Sequence, residues 1–183
     1  GSYNVGLGVN ALGGNTTANY NTAIGTQALI ANTTGPSNVA VGAFALDANT
    51  TAEGSVAVGY GALSANTTGG FNTAVGYNAL DVCTTGAPNV AVGVNAGGSV
   101  STGSQNVFVG AVAGNSVTTG GNHLLLGYNS GNSGSPGGAI TTGNNEVTIG
   151  NGDHSKINAQ VSITVASDER DKTDFQGLNA GLD

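Results

Sequence analysis

A glycine returns every 17 residues. It closes an Asn-x-Ala-Val-Gly-like word at Gly8, Gly25, Gly42, Gly59, Gly76, Gly93, Gly110 and Gly127, seven equal steps in succession. A ninth word, Glu146-Val-Thr-Ile-Gly150, follows after 23 residues, so its step carries six extra. A strict period of this length leaves a chain few options, because each repeat is too small to bury a core except by stacking on its neighbours. The extra residues are expected at Asn132-Ser-Gly-Ser-Pro-Gly-Gly138, a crowd of turn formers that reads as a surface loop.

The columns of the repeat carry the physics. Before each glycine stands Leu7, Ile24, Val41, Val58, Val75, Val92, Val109, Leu126 or Ile149. Two positions earlier stand Val5, Thr22, Val39, Val56, Thr73, Val90, Val107, Leu124 and Val147. Alternation puts these two columns on one face of a short strand. Gly6, Ala23, Ala40, Ala57, Ala74, Ala91, Phe108, Leu125 and Thr148 lie between them and point the other way. Neither face carries charge, as in a parallel sheet covered on both sides. Each repeat continues through an alanine column and Leu12, Leu29, Leu46, Leu63 and Leu80. It turns at Thr-Thr-Gly corners such as Thr33-Thr34-Gly35 and Thr67-Thr68-Gly69, where glycine is expected to take a positive φ. Stacking places Asn4, Asn21, Asn38, Asn72, Asn89 and Asn106 in register, able to bond amide to amide. The expected fold class is all-β, a parallel β-solenoid or β-roll of about eight 17-residue coils, roughly 40 Å long at ~4.8 Å per coil.

Seventeen residues offer two short strands and three or four inward aliphatic side chains. With the second strand face also apolar, three chains burying it against one another is the economical solution. The expectation is a homotrimer with the alanine column near the interchain contacts. After Leu80 the leucine column becomes Gly97, Gly114 and Gly131 while the small column enlarges to Phe108 and Leu125, as volume compensation in the core requires.

Composition removes several function classes. Gly, Asn and Thr supply 77 of 183 residues, and charged residues are 7% against the ~25% of ordinary globular domains. No Lys or Arg precedes Lys156 and the net charge is −7, so nothing can neutralise nucleic-acid phosphates. No apolar run approaches the ~20 residues of a membrane-spanning helix, and no membrane insertion is expected. The lone Cys83, at a corner otherwise held by Asn32, Asn49 and Asn66, excludes an internal disulfide framework and reads as an inert replacement. The repeat is already under way at Gly1, so more chain is expected before it.

Several single residues admit a functional role beside an ordinary one. Asp47 and Asp81 share a column two coils apart, ~9–10 Å between backbones, a spacing compatible with a glycosidase pair but equally with turn carboxylates. His123 takes a position of the asparagine column and His154 lies in a Gly-Asp-His-Ser turn. In a trimer either could close a three-fold metal site, although a lone His in a coil is ordinarily hydrogen-bonded or exposed. Gly6-Leu-Gly8 lacks the following helix of a dinucleotide site. No cofactor is expected.

The words Asn-Thr-Ala-Val-Gly-Tyr-Asn-Ala-Leu (72–80) and Ser-Val-Ala-Val-Gly-Tyr-Gly-Ala-Leu (55–63) resemble the head repeats of trimeric autotransporter adhesins and of bacteriophage tail fibres, over residues 1–131. The stretch from Thr148 to Asp174 is similar to the junction into the endosialidase-type intramolecular chaperone of phage tail fibres and tailspikes. That resemblance implies trimerisation by the C-terminal segment and its release by self-cleavage between Ser167 and Asp168, with Ser167 as nucleophile and Lys172 as its base. Chemically, a serine hydroxyl needs a neighbour to take its proton, and a partly desolvated lysine can do so. Family chaperones run on for many tens of residues, whereas this chain stops 16 residues after Ser167, so it is expected to end within the chaperone.

Together these readings predict a phage tail-fibre segment in the virion tail. Residues 1–150 would form the β-roll shaft or head, 151–167 a short interchain β stalk, and 168–183 the start of the chaperone. The segment would be no enzyme beyond that one cleavage. Its partner would be a host cell-surface receptor, with a glycan as the expected class, held through the 132–139 loop and the Thr/Asn corners by many weak contacts. A bacterial trimeric adhesin head on the cell surface, or a monomeric ice- or polysaccharide-binding solenoid using its threonine ranks, stays open as an alternative.

Overall fold

A computed structural model of the chain describes residues 1–154. Nine strands follow one another: β1 Val5–Leu7, β2 Thr22–Ile24, β3 Val39–Val41, β4 Val56–Val58, β5 Thr73–Val75, β6 Asn89–Val92, β7 Asn106–Val109, β8 Leu124–Leu126 and β9 Val147–Ile149. They form one sheet in chain order, every pair parallel, with no helix among the described residues. The register is the sequence period itself: Val39 faces Val56, Ala57 faces Ala74, and across the long step Leu124 faces Val147. The described residues form a β-solenoid.

Each coil contains one strand, not two. The rest is turns, because a typical coil passes through left-handed backbone at three places, as at Phe71 (φ 59°), Asn78 (φ 50°) and Leu80 (φ 52°), while the coil of Pro88 keeps only the last two, at Asn95 and Gly97. Left-handed residues interrupt extension, and a leucine is held there because its side chain is buried: Leu29, Leu46, Leu63 and Leu80 are all fully covered. The punctuating glycine has a stricter reason. At Gly59, φ is 134° and a Cβ would sit 2.6 Å from the carbonyl carbon of Gly76 in the next coil, so no other residue fits.

The faces are the reverse of the expected arrangement. The alanine column of the strands, Ala23 through Ala91, is completely buried inside the single chain, packed with Leu29, Leu46, Leu63 and Leu80. The valine columns point outward and are half-buried or exposed. The narrow coil explains this, since the interior between strand and turn admits alanine opposite leucine but not two large columns.

The corner glycines also differ from expectation. Gly69 has no positive φ; it is small because a Cβ would lie 2.6 Å from the Gly86 carbonyl oxygen and 2.9 Å from Asn66 Oδ1. The asparagine column bonds mainly to backbone. The Asn38 N–H donates to Asn21 Oδ1 (2.9 Å), while Asn38 Nδ2 donates to the carbonyls of Gly35 and Ala52. One amide-to-amide bond lies in this column, from Asn89 Nδ2 to Asn72 Oδ1 (3.3 Å), and two run through the corner, from Asn32 to Asn15 and from Asn49 to Asn32.

Volume compensation around Phe108 holds within one chain. A Cβ on Gly97 would lie 2.8 Å from the Phe108 ring, and Gly114 and Gly131 leave room for Phe108 and Leu125. The six extra residues fall between Gly131 and Ile140. The Ile140 N–H donates to the Gly131 carbonyl (2.9 Å), closing the loop, and the buried Ile140 resumes the column of Cys83, Val100 and Val117.

Candidate functional site

Two surfaces are too regular to be accidental. The first is the outer face of the sheet. Of its eighteen positions sixteen are aliphatic, the exceptions being Thr22 and Thr73, and none is charged. Val90, Val92, Val109 and Leu124 are each more than a third exposed, and Val147 and Ile149 at least half. Soluble chains rarely leave a continuous aliphatic strip of this length in water.

The second surface is the threonine corner. Each Thr-Thr pair divides its work. The first hydroxyl donates to the carbonyl one coil on, as from Thr33 to Thr50 (3.0 Å), Thr50 to Thr67 (3.1 Å) and Thr67 to Thr84 (3.2 Å). The second residue forms an unbroken exposed column, Thr17, Thr34, Thr51, Thr68, Thr85, Thr102, Thr119 and Thr142, whose hydroxyls make no hydrogen bond among the described residues. Beside it runs a second exposed column containing Phe71, Pro88, Gln105 and Asn122. Between the two lie concavities of about 440 Å³, near Phe71, and about 430 Å³, near Asn122.

The residues singled out from the sequence are scattered. Ser167 and Lys172, with the proposed stalk and chaperone, lie outside the described residues. His123 is buried, its Nε2 2.8 Å from the Gly143 carbonyl while Nδ1 accepts the Glu146 N–H (3.3 Å), so both ring nitrogens are engaged within the chain. His154 Nδ1 lies 2.7 Å from Asn151 Oδ1, so it too has a partner within the chain. Among the described residues no group of three His, Cys, Asp or Glu side chains is placed to hold a metal ion. Asp47 and Asp81 are half-buried, and burial pushes both carboxyls above the ordinary carboxylate value. Ser64 intervenes between them and donates to the Asp81 backbone carbonyl (3.2 Å). The 132–139 loop is tied to the coil, since Asn132 Nδ2 donates to the Val112 carbonyl and Ser135 Oγ to that of Asn129.

Sequence reasoning singled out the threonine corners but missed the column of Phe71 and Asn122 that makes a groove beside them. Its signal was present: the outer threonine recurs at eight of eight corners, while the neighbouring exposed column changes identity at almost every coil.

No known family model matches the sequence, and no curated protein and no solved structure matches it either. Among the described residues no helix is long and apolar enough to cross a membrane.

Proposed function

We propose that the chain is a segment of a trimeric, surface-attaching fibre of the phage tail-fibre type, acting in the virion tail as a stiff rod that holds a host surface. The observation that carries this reading is the uncharged aliphatic outer sheet face, which runs across nine strands, roughly 38 Å at ~4.8 Å per strand. Three copies packing these faces together would remove that strip from water at ~25 cal/mol per Å² of apolar surface. The valine columns, not the alanines, then form the interchain contact. Parallel hydrogen bonding through every coil and the buried Leu and Phe side chains supply stiffness. The phage assignment, and maturation by cleavage between Ser167 and Asp168, rest on the resemblance of the repeats and of the C-terminal segment.

Light scattering on the full chain tests the reading. A mass near three chains is expected, and the double variant Val58→Glu/Val75→Glu should reduce it to one chain with the β circular-dichroism signal kept. A folded monomer of the unaltered chain overturns the trimer.

One observation favours a second reading. The unused outer threonine hydroxyls, repeated at coil spacing, are the array an ice-binding solenoid would present. A monomer that shows thermal hysteresis would put that reading first.

A further inference from the structure

We propose that the groove between the outer threonine column and the column of Phe71 and Asn122 is a binding site for an uncharged polysaccharide lying along the solenoid axis. The inference rests on the reading of the chain as a surface-holding rod and names the ligand class and the contact. Aromatic groups differ sharply along the molecule. Tyr60 and Tyr77 stack on each other at 5.3 Å and 10°, so each covers a face of the other. Phe71 stacks on no aromatic partner among the described residues. Its ring lies over Gly54, where a Cβ would come within 2.7 Å of it, and the residue remains 61% exposed. A free aromatic face beside a groove is the surface on which the C–H face of a pyranose ring packs.

The surroundings of Phe71 supply the polar half of such a site. Thr51 and Thr68 present unengaged hydroxyls, the exposed Glu53 carboxylate can accept sugar hydroxyls, and Pro88 extends the apolar floor. Three coils further, the second concavity repeats the arrangement with hydroxyls and amides from Thr102, Thr119, Gln105 and Asn122. Both concavities share the threonine column as one wall, so a linear polymer along the axis would meet them in turn. Individually weak contacts would sum along such a ligand.

Charge sets the class. No Lys or Arg precedes Lys156, the net charge is −7, and Glu53 stands in the groove. A uronate, sialate or sulfate would find no counter-ion there among the described residues. The ligand is therefore a neutral polymer.

The test is affinity electrophoresis of the full chain in gels containing mannan, laminarin, dextran or soluble cellulose ether, with polygalacturonate and heparin as acidic controls. Retardation by at least one neutral polymer and by neither acidic one is expected. Phe71→Asn should weaken that retardation tenfold or more, and Thr51→Val/Thr68→Val should weaken it less. Asparagine suits the test because Asn122 and Asn145 already occupy this column with φ near 60°. Retardation by no neutral polymer, equal retardation by the acidic ones, or an unchanged Phe71→Asn variant overturns the site. So does a change in solution mass on Phe71→Asn, which would place the ring in an interchain contact. A monomer that binds a neutral polymer refutes the trimer while leaving the groove, and a trimer that binds none refutes only the groove.

Discussion

Up to Leu80 the solenoid fills its interior from the turn, and beyond Leu80 it fills it from the strand. In the earlier coils Leu29, Leu46, Leu63 and Leu80 reach across to alanines on the strand, and the corner is an amide ladder through Asn32 and Asn49. In the later coils the turn offers Gly97, Gly114 and Gly131, the strand supplies Phe108 and Leu125, and the corner is closed by Val100, Val117 and Ile140. The backbone hardly registers the exchange: φ is 52° at Leu80 and 62° at Gly97. Glycine was therefore not needed for conformation at Gly97, since leucine already adopts it. It was needed for room. What the repeat conserves is interior volume and backbone course, and either wall can provide the side chain.

The exchange between the two walls depends most on Phe108. One ring occupies the space above both Gly97 and Gly114, so Phe108→Ala leaves a cavity between the two walls. The expected cost is about 3–5 kcal/mol, read as a fall in melting temperature of roughly 10 °C. Adding Gly97→Leu and Gly114→Leu to Phe108→Ala rebuilds the earlier coils' arrangement and should recover much of the loss. A shift under about one degree for the single variant, or no recovery in the triple variant, would refute compensation between the two walls.

The corner comes next in size. Asn49 Nδ2 donates to Asn32 Oδ1 (3.2 Å) and to the Ala52 carbonyl (3.2 Å), while its Oδ1 accepts the Ala52 N–H (3.1 Å). Asn49→Val matches the side chain that works at Val100 and Val117 but orphans these buried groups, at about 1–3 kcal/mol. Urea unfolding checks it. A neutral effect would mean the polar corner of the earlier coils is replaceable at will.

Much of this was legible in the sequence, and the reasons for the rest are physical. The 17-residue period set the register of the first eight strands and the recurring word that of the ninth, while the six extra residues placed the 132–139 loop. The exchange of Leu80 for Gly97 against Ala91 for Phe108 announced the repacking. The facing of the strand was not legible, because its two sides, alanine and valine, are both uncharged and period-2 alternation has no sign. The left-handed leucines were equally hidden, since no propensity places Leu63 at φ 54°; only burial does. His123 was visible as a residue, but whether its nitrogens were engaged depended on Gly143 and Glu146, 20 and 23 residues away.

Asp47 belongs to the earlier coils and has no counterpart among the later ones, where Gly98, Asn115 and Asn132 hold its column. Burial raises its carboxyl above 3.8, and Oδ1 is buried without a hydrogen-bond partner. A folded pKa above the unfolded one means that the native state binds the proton more tightly. Stability is then greatest below the unfolded value and falls as pH rises through the raised one. Asp47→Asn should leave the urea midpoint unchanged near pH 3 and raise it slightly at pH 7. An equal change at both pH values would show that ionisation is not the cause.

Cys83 stands where the two styles of corner meet, between Asn66 on one side and Val100 on the other, and it should show the smallest effect of all. Its Sγ lies 3.5 Å from the Gly86 carbonyl, the weak equivalent of the bond from Asn66 Nδ2 to Gly69 at 2.8 Å. Burial pushes the thiol up to about 11, so it is protonated and screened in the folded chain. Thiolate is the reactive form, and a disulfide reagent at pH 8 should therefore modify Cys83 only after urea unfolds the coils. Cys83→Val continues the aliphatic corner one coil earlier, and Cys83→Asn continues the amide corner one coil later. If the corner is a free boundary between two workable solutions, each should shift stability by less than about 1 kcal/mol. A large loss in one and not the other would show that the boundary is pinned at this coil, and the direction of the loss would say which half of the solenoid sets it.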